Sequence, residues 1–80
     1  MTENELGKIL KEMYDNASSG ERLVKIHLFG VKYALVIHDN NYKAGNIIRA
    51  SGLNPSYVAE VSKGIKLAKY VMPRWLKAVK

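Results

Sequence analysis

Between Asn46 and Gly64 the chain reads NIIRASGLNPSYVAEVSKG, with glycine, asparagine and proline gathered between two short apolar runs. Ile47 precedes this cluster, and Val58 and Val61 follow it at helical spacing. Gly52 stands where a left-handed residue is needed after a helix end, and Leu53 follows as a plug for the corner. Asn54 suits a helix cap, and Pro55 fits a first turn because its missing N–H would have had no partner there. The pattern predicts a helix capped by Asn41 and running to Ala50 or Ser51, then a tight turn. A second helix covers Pro55 to Lys63 and closes at Gly64.

The remaining chain supplies supports. Leu6, Ile9, Leu10 and Met13 make one apolar stripe on a helix from about Glu3 to Asn16. Turn chemistry fills Asp15 to Gly20, and Ser18 with Glu21 suggests a capping box for the next helix. In that helix, Leu23 to about Ile37, Val24, Leu28, Val31 and Leu35 recur at steps of four, three and four. Its β-branched residues and Gly30 keep a strand from Leu23 to Leu28 open as a rival. The expectation is an all-α domain of four to five helices. Supporting helices occupy 1–40, a helix-turn-helix 41–64, and a C-terminal helix with a basic tail 65–80.

Eighty residues hold one core. With no cysteine, disulfides, thiolate metal sites and cysteine nucleophiles are excluded. Met1 to Tyr14 lacks the basic start and apolar run of a signal peptide, and Leu23 to Ile37 is too short and too often interrupted by charge to span a bilayer. A cytoplasmic protein without a membrane partner is expected. Charge is divided unevenly. Asn41 to Lys80 carries eight lysines and arginines against one acid, Glu60, whereas Met1 to Asn40 carries five against six acids. A positive half built around two helices and a turn suits a polyanion, with duplex DNA the leading candidate.

Residues Ile47, Gly52, Leu53, Val58, Val61 and Gly64 resemble the helix-turn-helix of the lambda-repressor-like family, which includes phage repressors and restriction-modification controllers. The resemblance covers roughly a quarter of the chain. Two positions depart from the family pattern. Ile48 stands where the family usually has alanine at the helix crossing, and Ala44, beside Lys43, stands where it often has a phosphate-binding glutamine. The resemblance implies a sequence-specific transcriptional regulator of phage or defence-cassette type. It further implies that Asn54, Ser56, Tyr57 and Glu60 face base edges in the major groove. Lys43, Arg49, Lys63, Lys66 and Lys69 are the expected phosphate contacts that set register.

Other chemistry is sparse. His27 and His38 have no second ligand at metal spacing, His38-Asp39 has no nucleophile to serve, and Ser18 and Ser19 read as capping residues. Neither an enzyme nor a cofactor is expected. Trp75, in the tail, suits either packing within the chain or pairing with a second copy as a homodimer. The rival reading is a protein-interaction module on the same scaffold, such as an antitoxin or accessory subunit. A DNA-targeting domain for a separate enzyme is a third.

Overall fold

A computed structural model describes residues 1–71. Trp75 and the rest of the tail, 72–80, lie outside the described residues. Those described form four α-helices and one 3-10 turn, with no strand. They are α1 (Glu3–Asp15), α2 (Arg22–Asp39), α3 (Ala44–Ser51), the 3-10 turn Pro55–Tyr57, and α4 (Val58–Leu67). The rival strand at Leu23 to Leu28 is therefore helix.

Helix α1 begins on a capping box. The Thr2 hydroxyl accepts from the Glu5 N–H at 3.1 Å, and the Glu5 carboxylate accepts from the Thr2 N–H at 2.7 Å. The expected stripe faces inward, with Leu6 and Leu10 buried and Ile9 and Met13 against the core. The capping box expected at Ser18 does not form. Glu21 is the cap residue of α2 and makes no side-chain bond there. Its N–H instead donates to the Ser18 carbonyl at 2.9 Å, which places Ser18 a full turn too early to cap.

Helix α2 corrects the predicted face. Ile26, Phe29, Ala34 and Ile37 are buried, whereas Val24 is 45% exposed and Leu35 75%. Apolar residues lie around most of this helix, so two faces fit the helical period. Gly30 selects one of them, because α4 approaches within backbone contact there. Asn41 is not the cap of α3. It adopts φ 55°, donates to the His38 carbonyl at 3.1 Å, and is followed by Tyr42, whose N–H reaches the Ile37 carbonyl at 2.9 Å. This is a Schellman closure of α2 with asparagine in the left-handed place, after which Tyr42 packs against the core that includes Ile37.

Lys43 is the cap residue of α3, and a carboxylate from α1 does the bonding. Glu3 accepts from the Lys43 N–H at 2.8 Å and from the Asn46 side-chain amide at 3.2 Å. Gly52 ends α3 with φ 76°, as its place in the sequence predicts. Buried Ser51 stitches the turn. Its hydroxyl donates to the Ile48 carbonyl at 2.6 Å and accepts from the Leu53 N–H at 3.1 Å. Gly64 does not close α4, which continues to Leu67. The glycine is buried in mid-helix, where α4 crosses α2.

Helix α3 packs mainly on α1 and α4 mainly on α2, so the two helices of the motif touch each other little. Ile48 accordingly turns into the common core with Leu6, Leu10, Ile26, Phe29, Ile37, Ile47 and Val61. Burying each of these side chains contributes about 1.5–3 kcal/mol before entropy is counted.

Candidate nucleic-acid interface

The 3-10 turn and α4 form one unit with two faces. Val61 and Gly64 are buried, and Val58 and Ile65 are packed against the core. The opposite side carries Ser56, Ala59, Lys63 and Lys66, all exposed. Asn54 starts the unit, its side-chain oxygen accepting from the Ser56 N–H at 2.9 Å. Asn54 and Ser56 are thus exposed and held at the leading end, in the places from which base contact is expected.

Tyr57 and Glu60 are engaged within the chain. The Tyr57 hydroxyl lies 3.3 Å from that of Tyr14, and the two rings tilt at 57° with centroids 5.7 Å apart. Glu60 accepts from His27 Nε2 at 2.7 Å and from Lys63 Nζ at 3.3 Å, with its side chain 20% exposed. The His27 hydrogen bond, aided by Lys63, outweighs partial burial and holds the Glu60 carboxyl below the usual range. The one acid of the C-terminal half is therefore bound to two donors and interrupts the positive surface little.

The expected phosphate residues divide by element. Lys63 and Lys66 share the outer stripe of α4, and Lys69 is exposed in the turn that follows. Lys43 and Arg49 are exposed near opposite ends of α3, where Arg49 donates to the Asn46 side-chain oxygen at 3.0 Å. A further basic residue, Arg22, lies at the corner where Tyr14 meets Tyr57. Its guanidinium carbon sits 5.2 Å from the centroid of the Tyr14 ring, which in turn meets Tyr57. No local pattern connects Arg22 and Tyr57, because only the tertiary fold brings α1, α2 and the 3-10 turn to one corner.

Among the described residues, no group of three or more His, Cys, Asp or Glu side chains is placed to hold a metal ion. No helix among them is long and apolar enough to cross a membrane. His38 and Asp39, 3.4 Å apart, are exposed at the end of α2.

The family model of the HTH-like domain matches residues 2–74. The chain belongs to that family. The match takes in α1 and α2 as well as the helix-turn-helix, so the supporting helices are part of what defines an HTH-like domain here. The match supports a helix-turn-helix family and does not single out the lambda-repressor-like one. Neither a curated protein nor a solved structure matches the chain.

Proposed function

We propose that this HTH-like domain binds duplex DNA without catalysis, as a sequence-specific transcriptional regulator of lambda-repressor-like type acting in the cytoplasm. The carrying observation is the outer face of the turn-and-α4 unit, where Ser56, Ala59, Lys63 and Lys66 align opposite Val61 and Gly64. In this reading the unit lies in the major groove. Asn54 and Ser56 offer donors and acceptors to base edges, and the small side chain of Ala59 allows close approach. Lys63, Lys66 and Lys69, with Lys43 and Arg49 from the α3 side, neutralise phosphates and release counterions. Glu60 acts chiefly by fixing the unit on α2, since both its carboxylate oxygens are already bonded, and Tyr57 ties the unit to α1 through Tyr14. The resemblance to phage repressors and restriction-modification controllers suggests a phage or defence cassette as its setting.

Selection of random duplex DNA by the purified protein at two salt concentrations tests this. An enriched motif that survives the higher salt supports sequence reading. Retention without a motif reduces the function to a basic surface, and no retention removes DNA from the reading.

One observation favours a second reading as a protein-interaction module. Val24 and Leu35 lie exposed on α2 at the spacing of an amphipathic seam. Such a surface serves an antitoxin or accessory subunit as readily as a regulator that pairs with itself.

A further inference from the structure

The corner formed by Tyr14, Arg22 and Tyr57 has the chemistry of an oxyanion site. Arg22 lies over the Tyr14 ring with its guanidinium carbon 5.2 Å from the centroid, a cation–π contact that consumes none of its N–H donors. Among the described residues no carboxylate pairs with it. The Tyr14 and Tyr57 hydroxyls share a single hydrogen bond at 3.3 Å. Two hydroxyls hold two O–H donors, so one remains to donate outside the pair. The Tyr57 phenol is held above its ordinary range chiefly by the Tyr14 hydroxyl, against the pull of the nearby Arg22 charge. The corner gathers donors around one guanidinium at the leading end of the proposed reading unit.

We propose that Arg22, with the Tyr14–Tyr57 hydroxyl pair, binds a DNA backbone phosphate beside the groove entered by the turn-and-α4 unit. The proposal rests on the DNA-binding reading and extends its contact surface to α1 and α2. The phosphate belongs to the duplex because the corner adjoins Asn54 and Ser56 through Tyr57, so a strand read by those residues passes next to Arg22. The guanidinium supplies a bidentate, charge-assisted contact, and the free hydroxyl fixes a third oxygen direction. In effect the contact sets how far the reading unit advances along the groove.

The test uses the full chain and a short labelled duplex, with affinity titrated against chloride concentration for wild type, Arg22→Ala, Arg22→Lys, Tyr57→Phe and Lys63→Ala. Melting curves confirm that each variant is folded. Arg22→Ala is expected to weaken binding several-fold to all sequences and to make the log–log salt slope less negative by about one. Arg22→Lys should restore that slope while recovering only part of the affinity, because a point charge neither stacks nor binds in a fork. Tyr57→Phe should lower affinity at unchanged slope. If Lys63→Ala weakens binding while Arg22→Ala alters neither affinity nor slope, the phosphate corner is wrong and the DNA reading stands. If wild type itself fails to bind the duplex at low salt, both are overturned.

Discussion

Gly64 of α4 rests against Gly30 of α2 so closely that a Cβ at position 64 would lie 3.0 Å from the Gly30 Cα and closer still to the His27 carbonyl oxygen. A Cβ on Gly30 would in turn meet the Val61 carbonyl at 2.6 Å. Both obstacles are backbone, which cannot swing aside as a side chain can. Gly64→Ala should therefore push α4 off α2 and cost about 1–3 kcal/mol, typical of overpacking. For a domain of this size that lowers the midpoint of thermal unfolding by roughly 4–8 °C per kcal/mol. A melting point equal to wild type would show that the two helices separate freely.

Gly52 fails for another reason when replaced. Nothing lies within 4 Å of the place a Cβ would take, but φ is 76°. The cost of Gly52→Val is conformational, roughly 1–3 kcal/mol, because a β-branched residue is poorly tolerated in the left-handed region. Urea unfolding measures it. Gly52→Asn should recover much of the loss, since asparagine enters that region more readily.

Stability should fall in acid partly through Glu60. Its carboxyl ionises more readily in the folded chain than unfolded, chiefly because His27 donates to it. The sign follows: the contribution is complete above the ordinary glutamate value, about 4.3, and is lost as pH drops through that value towards the lower folded one. Urea midpoints of wild type and Glu60→Gln, compared from neutral pH down to about 3, should converge as acid protonates the wild-type carboxylate. Parallel curves would show that the His27–Glu60 contact contributes nothing to stability.

DNA affinity should drop steeply with salt. Four to six basic contacts per subunit give a log–log slope of roughly −4 to −5. Isothermal or fluorescence titrations at several chloride concentrations supply the value. A slope near zero would be incompatible with phosphate neutralisation by these lysines and arginines.

Reading and positioning should separate on α4. Ser56→Ala is expected to change which sequence is preferred. Lys63→Ala and Lys66→Ala should weaken all sequences about equally, each reducing the slope by about one. Repeating the random-duplex selection with each variant distinguishes them. An unchanged motif with Ser56→Ala would move base reading off the leading end of the unit.

Much of this molecule is legible from local chemistry. Gly52, Asn54 and Pro55 specify the turn through φ, a cap and a missing N–H, and the inward side of α1 follows from period alone. Contacts between distant residues are not legible in this way. The inward face of α2 could not be chosen from its own residues, since Val24 and Leu35 fit the helical period as well as Phe29 and Ile37 do. The choice depends on Gly30 meeting Gly64, two glycines whose relation appears only after folding. The same holds at the candidate interface. Asn54, Ser56, Lys63 and Lys66 are exposed where the period places them. The ties of Glu60 to His27 and of Tyr57 to Tyr14 join residues more than thirty positions apart and left no local trace.

The Glu3 carboxylate on the Lys43 N–H and the Asn46 amide has one more consequence. Helix α3 borrows its start from α1, and α4 takes its seat from α2, so the angle between the motif's two helices is imposed from outside it. The helix-turn-helix is thus not a portable cassette. Residues 44–67 grafted into another scaffold would carry the turn and the outward side chains but lose the geometry that aims them. Any change to the outer side chains is best made where they stand, with α1 and α2 left intact beneath them.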